Sequence, residues 1–178
     1  FKTMIENEKT TTIQAALEVA RRMMTAARTA PKARGIDRLE LCCVSGEELE
    51  TLAKKMEEIG LKNQRPSFAR DAQNIRQSQA VVLIGSRQGE QGLDCAYCGF
   101  PNCAEKRKHP AFPCVFPVTD LGIALGSACA AAADNRVDSR VMYTAGMAAL
   151  ELGWLKDCFY ALSIPLSISG KSPYFDRK

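Results

Sequence analysis

Apolar residues recur at three- and four-residue intervals through Ile13, Ala16, Leu17, Ala20, Met23, Met24 and Ala27, which draws one stripe along a helix. The spacing predicts a helix over 10–30, with the threonines at 10–12 available as its N-cap and Pro31 and Gly35 as its stop. The run 38–44, Arg-Leu-Glu-Leu-Cys-Cys-Val, then reads as a strand. Its adjacent Cys42 and Cys43 point to opposite faces, which argues against their sharing a metal. Ser45 and Glu48 have the spacing of a capping box and predict a helix to Ile59, closed by Gly60. A third helix follows over 68–78, and Ala80-Val81-Val82-Leu83-Ile84 reads as a short buried strand.

The periodic pattern stops at Gly85. Residues 85–118 hold four of the eight prolines, four of the eight cysteines and several glycines, so regular structure is not expected and a metal would supply the order. From Thr119 the chain is helical again. The Gly-, Ala- and Ser-rich stretch 121–133 predicts a close-packed buried helix, too short to span a bilayer. Asp138 is placed to cap a further helix to Leu152, ended by Gly153. Residues 158–168 read as a last strand and 170–178 as a basic tail. Helices and strands mix without a βαβ rhythm, a Gly-rich nucleotide loop or an internal repeat, which gives an α+β class.

Composition adds bounds. At 178 residues the chain fits one domain, with 46% hydrophobic and 25% charged residues as in an ordinary globular protein. A formal net charge of +4, without a basic block interleaved with aromatics, excludes an evident nucleic-acid binder. No basic-then-apolar leader is present, and eight cysteines in such a chain imply a reducing, cytoplasmic setting with metal-bound or free thiols.

Half of those cysteines, Cys95, Cys98, Cys103 and Cys114, lie within twenty residues, spaced Cys-x2-Cys-x4-Cys-x10-Cys. Four soft thiolates at such intervals suit either tetrahedral zinc or an iron–sulfur cluster. Structural zinc ordinarily uses two Cys-x2-Cys knuckles or Cys/His pairs, and only one such knuckle exists here. A third reading leaves four unconnected thiols. The string Cys98-Gly99-Phe100-Pro101-Asn102-Cys103 resembles the small four-cysteine [4Fe–4S] module of anaerobic electron-transfer and corrinoid/acetyl-CoA pathway proteins. In that module the fourth cysteine follows at a longer distance than Cys114 does. A [4Fe–4S]2+ core on four thiolates carries a formal charge of about −2, which would bring the chain to about +2.

The other cysteines read as small buried hydrophobes: Cys129 among alanines, Cys158, Cys42 and Cys43 on strands. His109 is the single histidine. It lies in the polar stretch Lys106-Arg107-Lys108-His109-Pro110, which reads as a solvated loop able to offset anionic charge between two cluster ligands.

The flanks carry a second resemblance. Ala26-Ala27-Arg28-Thr29-Ala30-Pro31 before a strand is similar to the Ala-Ala-x-x-Ala-Pro-Ser segment of nitroreductase-type flavoproteins, with Lys32 in place of the serine. Asp120-Leu121-Gly122-Ile123-Ala124 and Ala145-Gly146-Met147-Ala148-Ala149-Leu150-Glu151-Leu152-Gly153 resemble that fold's central helices. Ile164-Pro165-Leu166-Ser167 and the tail from Gly170 to Arg177 resemble its closing strand and basic C-terminus. Over nearly its whole length the chain resembles the bacterial and archaeal ferredoxin-domain-containing family DUF2148. That resemblance implies a single nitroreductase-like domain over 9–178, with a [4Fe–4S]-binding insertion at 89–118.

It also implies FMN at a homodimer interface, its phosphate held by basic side chains. Arg28, Lys32 and Arg34 after the first helix, and Lys171 and Arg177 in the tail, are the candidates. The family's Arg-x-Ser phosphate segment has no counterpart, since Arg21-Arg22-Met23-Met24 falls inside a helix. The implied function is a dimeric redox protein in which cluster and flavin exchange electrons with a partner protein or a small-molecule substrate. The alternatives are a non-catalytic iron–sulfur carrier or sensor whose flavin fold is empty, and a structural zinc protein. Neither nucleic acid nor membrane is an expected partner.

Overall fold

The computed structural model describes residues 5–175. Among them run α1 (Glu8–Thr29), a 3-10 turn (Ala33–Gly35), β1 (Leu39–Ser45), α2 (Glu47–Lys62), α3 (Pro66–Arg76), β2 (Ala80–Arg87), α4 (Cys103–Arg107), α5 (Val115–Asp134), β3 (Asp138–Ser139), α6 (Tyr143–Glu151) and β4 (Cys158–Ser167). The four strands form one antiparallel sheet in the order β1-β2-β4-β3. Pairing runs from Leu39 opposite Ser86 to Ser45 opposite Ala80, and from Ala80 opposite Leu166 to Ser86 opposite Tyr160.

The strands are apolar on both faces, so helices must cover both. Val82, Ile84, Ile164 and Leu166 face one layer, where α1 brings Ala16, Ala20, Met23 and Ala27 and α5 brings Leu121, Ala124, Ala128 and Ala132. Val81, Leu83 and Ala161 face the other, beneath Leu52 and Met56 of α2, Phe68 and Ile75 of α3 and Ala145 and Ala149 of α6. Cys43 packs against the first core and Cys42 against the second, as the strand period requires.

Several boundaries differ from the sequence reading. Asn7, rather than a threonine, caps α1: its Oδ1 accepts from the Lys9 N–H at 3.1 Å, while the Thr10 hydroxyl donates to the Asn7 carbonyl at 2.7 Å. Ser45 ends β1, and Gly46, at φ 63°, caps α2 without a side-chain bond, so no capping box forms. Gly60 lies inside α2 and does not close it. A Cβ there would stand 2.7 Å from the Phe68 Cβ, so the glycine serves the close approach of α3. Asp138 belongs to β3, and α6 starts at Tyr143 after an N-cap at Met142.

The largest shift concerns α5, which opens at Val115 within the proline-rich segment. Pro117 fits because the first helical turn has no use for its N–H. At 20 residues with a hydropathy of 1.5, α5 is long and apolar enough to cross a membrane by length and composition. Its packing accounts for that character, because one stripe enters the core beside α1. The opposite face, Gly122, Ile123, Gly126, Ala130 and Ala133, is exposed, so the helix is not buried all round.

Candidate metal centre

Two arginines hold the start of the cysteine-rich segment. The Arg38 guanidinium donates to the carbonyls of Gln88 (3.1 Å) and Glu90 (3.0 Å) and to Oε1 of Gln91 (3.3 Å). Arg34 donates to the Gln91 carbonyl at 2.7 Å. Gln91 is 1% exposed and in turn donates to the carbonyls of Ala33 and Ile36 and to the carboxylate of Asp120, each at 3.3 Å. Asp120 also accepts from the Ala33 N–H at 3.0 Å. The segment, the loop after α1 and the first turns of α5 are thus tied into one polar knot, which satisfies groups that burial would otherwise penalise.

Beyond Gln91 the backbone curls through positive φ at Gly92, Asp94 (47°), Ala96 (60°) and Gly99 (86°). The Cys103 N–H donates to the Asp94 carboxylate at 2.7 Å, and Asn102 caps α4 by accepting from the Glu105 N–H at 2.8 Å. Phe100 stacks on His109 (centroids 5.0 Å apart) and meets Phe112 edge-on (5.8 Å). The expectation of an irregular segment is corrected in part: α4 and the first turn of α5 lie within it, hydrogen bonds and ring packing brace it, and His109 belongs to that packing.

These features bring all four cysteines to one cleft. Cys95, Cys98, Cys103 and Cys114 line one narrow cleft. Cys114, the N-cap of α5, is buried, and the other three are half-buried. No three His, Cys, Asp or Glu side chains among the described residues converge on a single-ion position. The donor set is all sulfur, which suits zinc, copper(I) or iron–sulfur chemistry. Lys106 lines the same cleft and is 3% exposed. The sequence reading placed it in a solvated loop, and the structure corrects that: it lies in α4, three residues after Cys103 and on the same helical face.

The thiols outside the cleft behave as core atoms. Burial pushes Cys42 and Cys158 up to about 11 and raises Cys43 and Cys129 as well, so all four stay protonated near neutrality.

The basic candidates separate. Arg28 lies in the last turn of α1, rather than after it, and Lys32 and Arg34 in the loop that follows, at the Leu39–Ser86 end of the sheet. Lys32 donates to the carbonyls of Ala27 (2.8 Å), Arg28 (2.5 Å) and Ala30 (2.7 Å), capping the C-terminus of α1. Those three bonds leave its ammonium no donor for a phosphate. Arg28 uses one nitrogen on Asp37 (2.6 Å) and the Leu39 carbonyl, and Arg34 uses one on the segment backbone. Burial pushes Asp37 up, but the Arg28 hydrogen bond and its neighbours outweigh that and hold the carboxyl below its ordinary range. Each arginine keeps further N–H donors. Lys171 lies beside Gln77 at the opposite end of the sheet, about 20 Å away along the strands. Arg177 falls outside the described residues.

Comparison with known proteins fits this frame. A model of the family described as an uncharacterized protein containing a ferredoxin domain (DUF2148) matches residues 111–177, a span that includes Cys114 but not the first three cysteines. An uncharacterized protein of Archaeoglobus fulgidus is 43% identical over 182 residues, covering 98% of each chain. Among solved structures, the chain is similar to an FMN-bound nitroreductase from Desulfitobacterium hafniense, with a TM-score of 0.57 at 14% identity, over 96% of this chain and 82% of that one. A nitroreductase family protein from Clostridium novyi gives a TM-score of 0.57 at 12% identity, over 94% and 78% of the chains. A BluB-like flavoprotein from Clostridium difficile gives 0.51 at 16% identity, over 96% and 88%. The fold is that of the nitroreductases, and the chain belongs to the family of uncharacterized proteins containing a ferredoxin domain, DUF2148.

Proposed function

We propose that this is an iron–sulfur redox protein that holds one [4Fe–4S] cluster on Cys95, Cys98, Cys103 and Cys114. The observation that carries the reading is the single cleft lined by all four thiols. The cleft's donors are four thiols with no histidine, and the Cys98–Cys103 string lacks the second Cys-x2-Cys knuckle that structural zinc ordinarily uses, which favours iron–sulfur over zinc. A cluster there would supply one-electron chemistry, and the protein would supply the thiolates, the shielding and the local charge.

On this fold we assign FMN to the edge formed by the loop after α1 and the start of α5, shared between two copies of the chain. The unused N–H donors of Arg28 and Arg34 fit a phosphate there. The flavin would convert between one- and two-electron steps, and a partner protein or small molecule would complete the electron path. The exposed Gly/Ala face of α5 is the surface offered to the second copy. One observation favours a second reading, a non-catalytic carrier or sensor without flavin: Lys32 is fully used as a helix cap, and each arginine is partly engaged within the chain.

An anaerobic preparation tests both. Iron and acid-labile sulfide near four per chain with a flavin absorbance support the flavoprotein. Iron and sulfide alone, with no saturable FMN binding on titration, support the carrier. Zinc without sulfide overturns both.

A further inference from the structure

Lys106 is out of place for a lysine. It sits in the five-residue helix α4, three residues after Cys103, and is 3% exposed where its neighbours Arg107 and Lys108 extend into solvent. A lysine is almost never so buried without a paired charge or a strong reason. Its side chain lines the four-cysteine cleft and has no hydrogen-bond or ion-pair partner in the protein among the described residues. The carboxylate of Glu90 also lines the cleft and feels Lys106 electrostatically, but Arg107 claims it directly at 2.5 Å. Glu105 is turned to Lys108 and His109 on the outer side. Glu90 and Arg107 offset one another, and the Asp94 carboxylate, on the Cys103 N–H at 2.7 Å, is exposed and outside the cleft lining, which leaves Lys106 as the cation among the lining residues. A second positive source faces the same way: α5, 20 residues long, begins at Cys114 with its N-terminal dipole at the cleft.

We infer that Lys106 is the built-in counter-charge of the cysteine cleft and sets the reduction potential of the cluster held there. The inference rests on the cluster reading above. Four thiolates and a 2+ core carry a formal charge of about −2, and a one-electron donor takes them to about −3. A nearby cation favours the more negative form, so it raises the potential. It does so most effectively when buried, where the effective dielectric is low and salt screens poorly. An exposed lysine on the same helix lacks that leverage. Lys106 touches no reacting atom of a substrate, so its role is positioning of charge.

The test is a mediator-poised redox titration of the cluster-bearing protein, wild type against Lys106→Gln, Lys106→Arg and Lys108→Gln, with iron and sulfide counted in each. The expected result is unchanged iron in all four. The midpoint should move to more negative potential in Lys106→Gln and return toward wild type in Lys106→Arg. It should move little in Lys108→Gln, and the Lys106→Gln shift should persist at high salt. Equal potentials in wild type and Lys106→Gln at equal iron content overturn the inference and leave the cluster reading standing. So does a Lys108→Gln shift as large as that of Lys106→Gln. If Lys106→Gln loses its iron, the inference stands only where Lys106→Arg keeps both iron and potential, and iron loss in both variants overturns it. A wild type without iron and sulfide overturns the cluster reading and this inference together.

Discussion

Asp94 and Cys103 bind each other twice: the Cys103 N–H donates to the Asp94 carboxylate at 2.7 Å, and the Cys103 sulfur accepts from the Asp94 N–H at 3.4 Å. The pair fixes the third thiol relative to the first, which follows Asp94 directly. Asp94 holds both bonds from a left-handed backbone (φ 47°), a conformation that aspartate tolerates better than most residues. A hydrogen bond to a charged acceptor contributes about 1.5–3 kcal/mol. Asp94→Ala should therefore weaken cluster retention about tenfold or more, since about 1.4 kcal/mol is a factor of ten. Asp94→Asn, which keeps an acceptor, should hold most of it. Iron release to a chelator, followed by loss of visible absorbance, reads the difference. Equal release from Asp94→Ala and wild type would show the pair to be dispensable.

Cys98→Ser should remove most bound iron, because Cys98 lines the cleft with the other three thiols. Cys129→Ser should leave iron nearly unchanged, because Cys129 packs against the core of α1, α5 and the sheet. Metal analysis of the two variants decides, and the ligand assignment fails if both lose iron equally.

The elements with a clear period were legible in the sequence because burial on one face fixes that period: α1 and β2 appear close to where their stripes place them. The caps were not, since Asn7 was as good a cap as Thr10 by residue type and only the entry path of the chain selects between them. Helix α5 was read four residues late because Pro117 looks like a breaker unless its place in the first turn is known. The four cysteines that the spacing groups together do line one cleft. Gln91, Asp94 and the burial of Lys106 were not legible, because they depend on which segments meet, and spacing within one segment does not reveal that. The helix-capping role of Lys32 was hidden likewise: three carbonyls converge on it only once Pro31 has turned the chain.

Gly146 marks the closest contact of α6 with β4. A Cβ there would lie 2.1 Å from the Ala161 carbonyl oxygen and 3.0 Å from the Leu162 Cα, both backbone atoms that cannot turn aside. Gly146→Ala should force α6 off the sheet, at about 1–3 kcal/mol, as overpacked cores show. At about 2–4 °C per kcal/mol for a domain of this size, the melting temperature should fall by several degrees. Thermal denaturation followed by circular dichroism measures it, and a melt within a degree of wild type would contradict the packing.

The exposed face of α5 bears on assembly. Gly122, Ile123 and Gly126 follow one another around that face, and Ile123 is 44% exposed. Small residues permit close approach of a second helix, so the wild type should scatter light as a homodimer at micromolar concentration. In Gly126→Arg the side chain meets nothing within its own chain, where a Cβ finds open space. The monomer should fold normally, and the dimer should be lost. A wild-type monomer, or a Gly126→Arg dimer as tight as wild type, would refute this face as the interface.

Alkaline pH should destabilise the protein through its buried thiols. Burial, aided by Cys43, pushes Cys42 up to about 11, and burial, aided by Glu40, does the same for Cys158. An unfolded cysteine titrates near about 8.5. Below that value both states hold the proton and these groups give no pH dependence. Between about 8.5 and about 11 the unfolded chain has lost the protons while the folded chain keeps them. The native state then binds more protons than the unfolded one, so stability falls as pH rises through that window, and the dependence ends above it. Lysines and tyrosines titrate nearby, so the informative quantity is the slope difference from a double variant. Cys42→Ala with Cys158→Ala should start less stable, because it leaves small cavities, yet lose less stability across the window than wild type. Urea denaturation at a series of pH values gives both slopes, and parallel slopes would show that these two thiols ionise alike in the folded and unfolded chains.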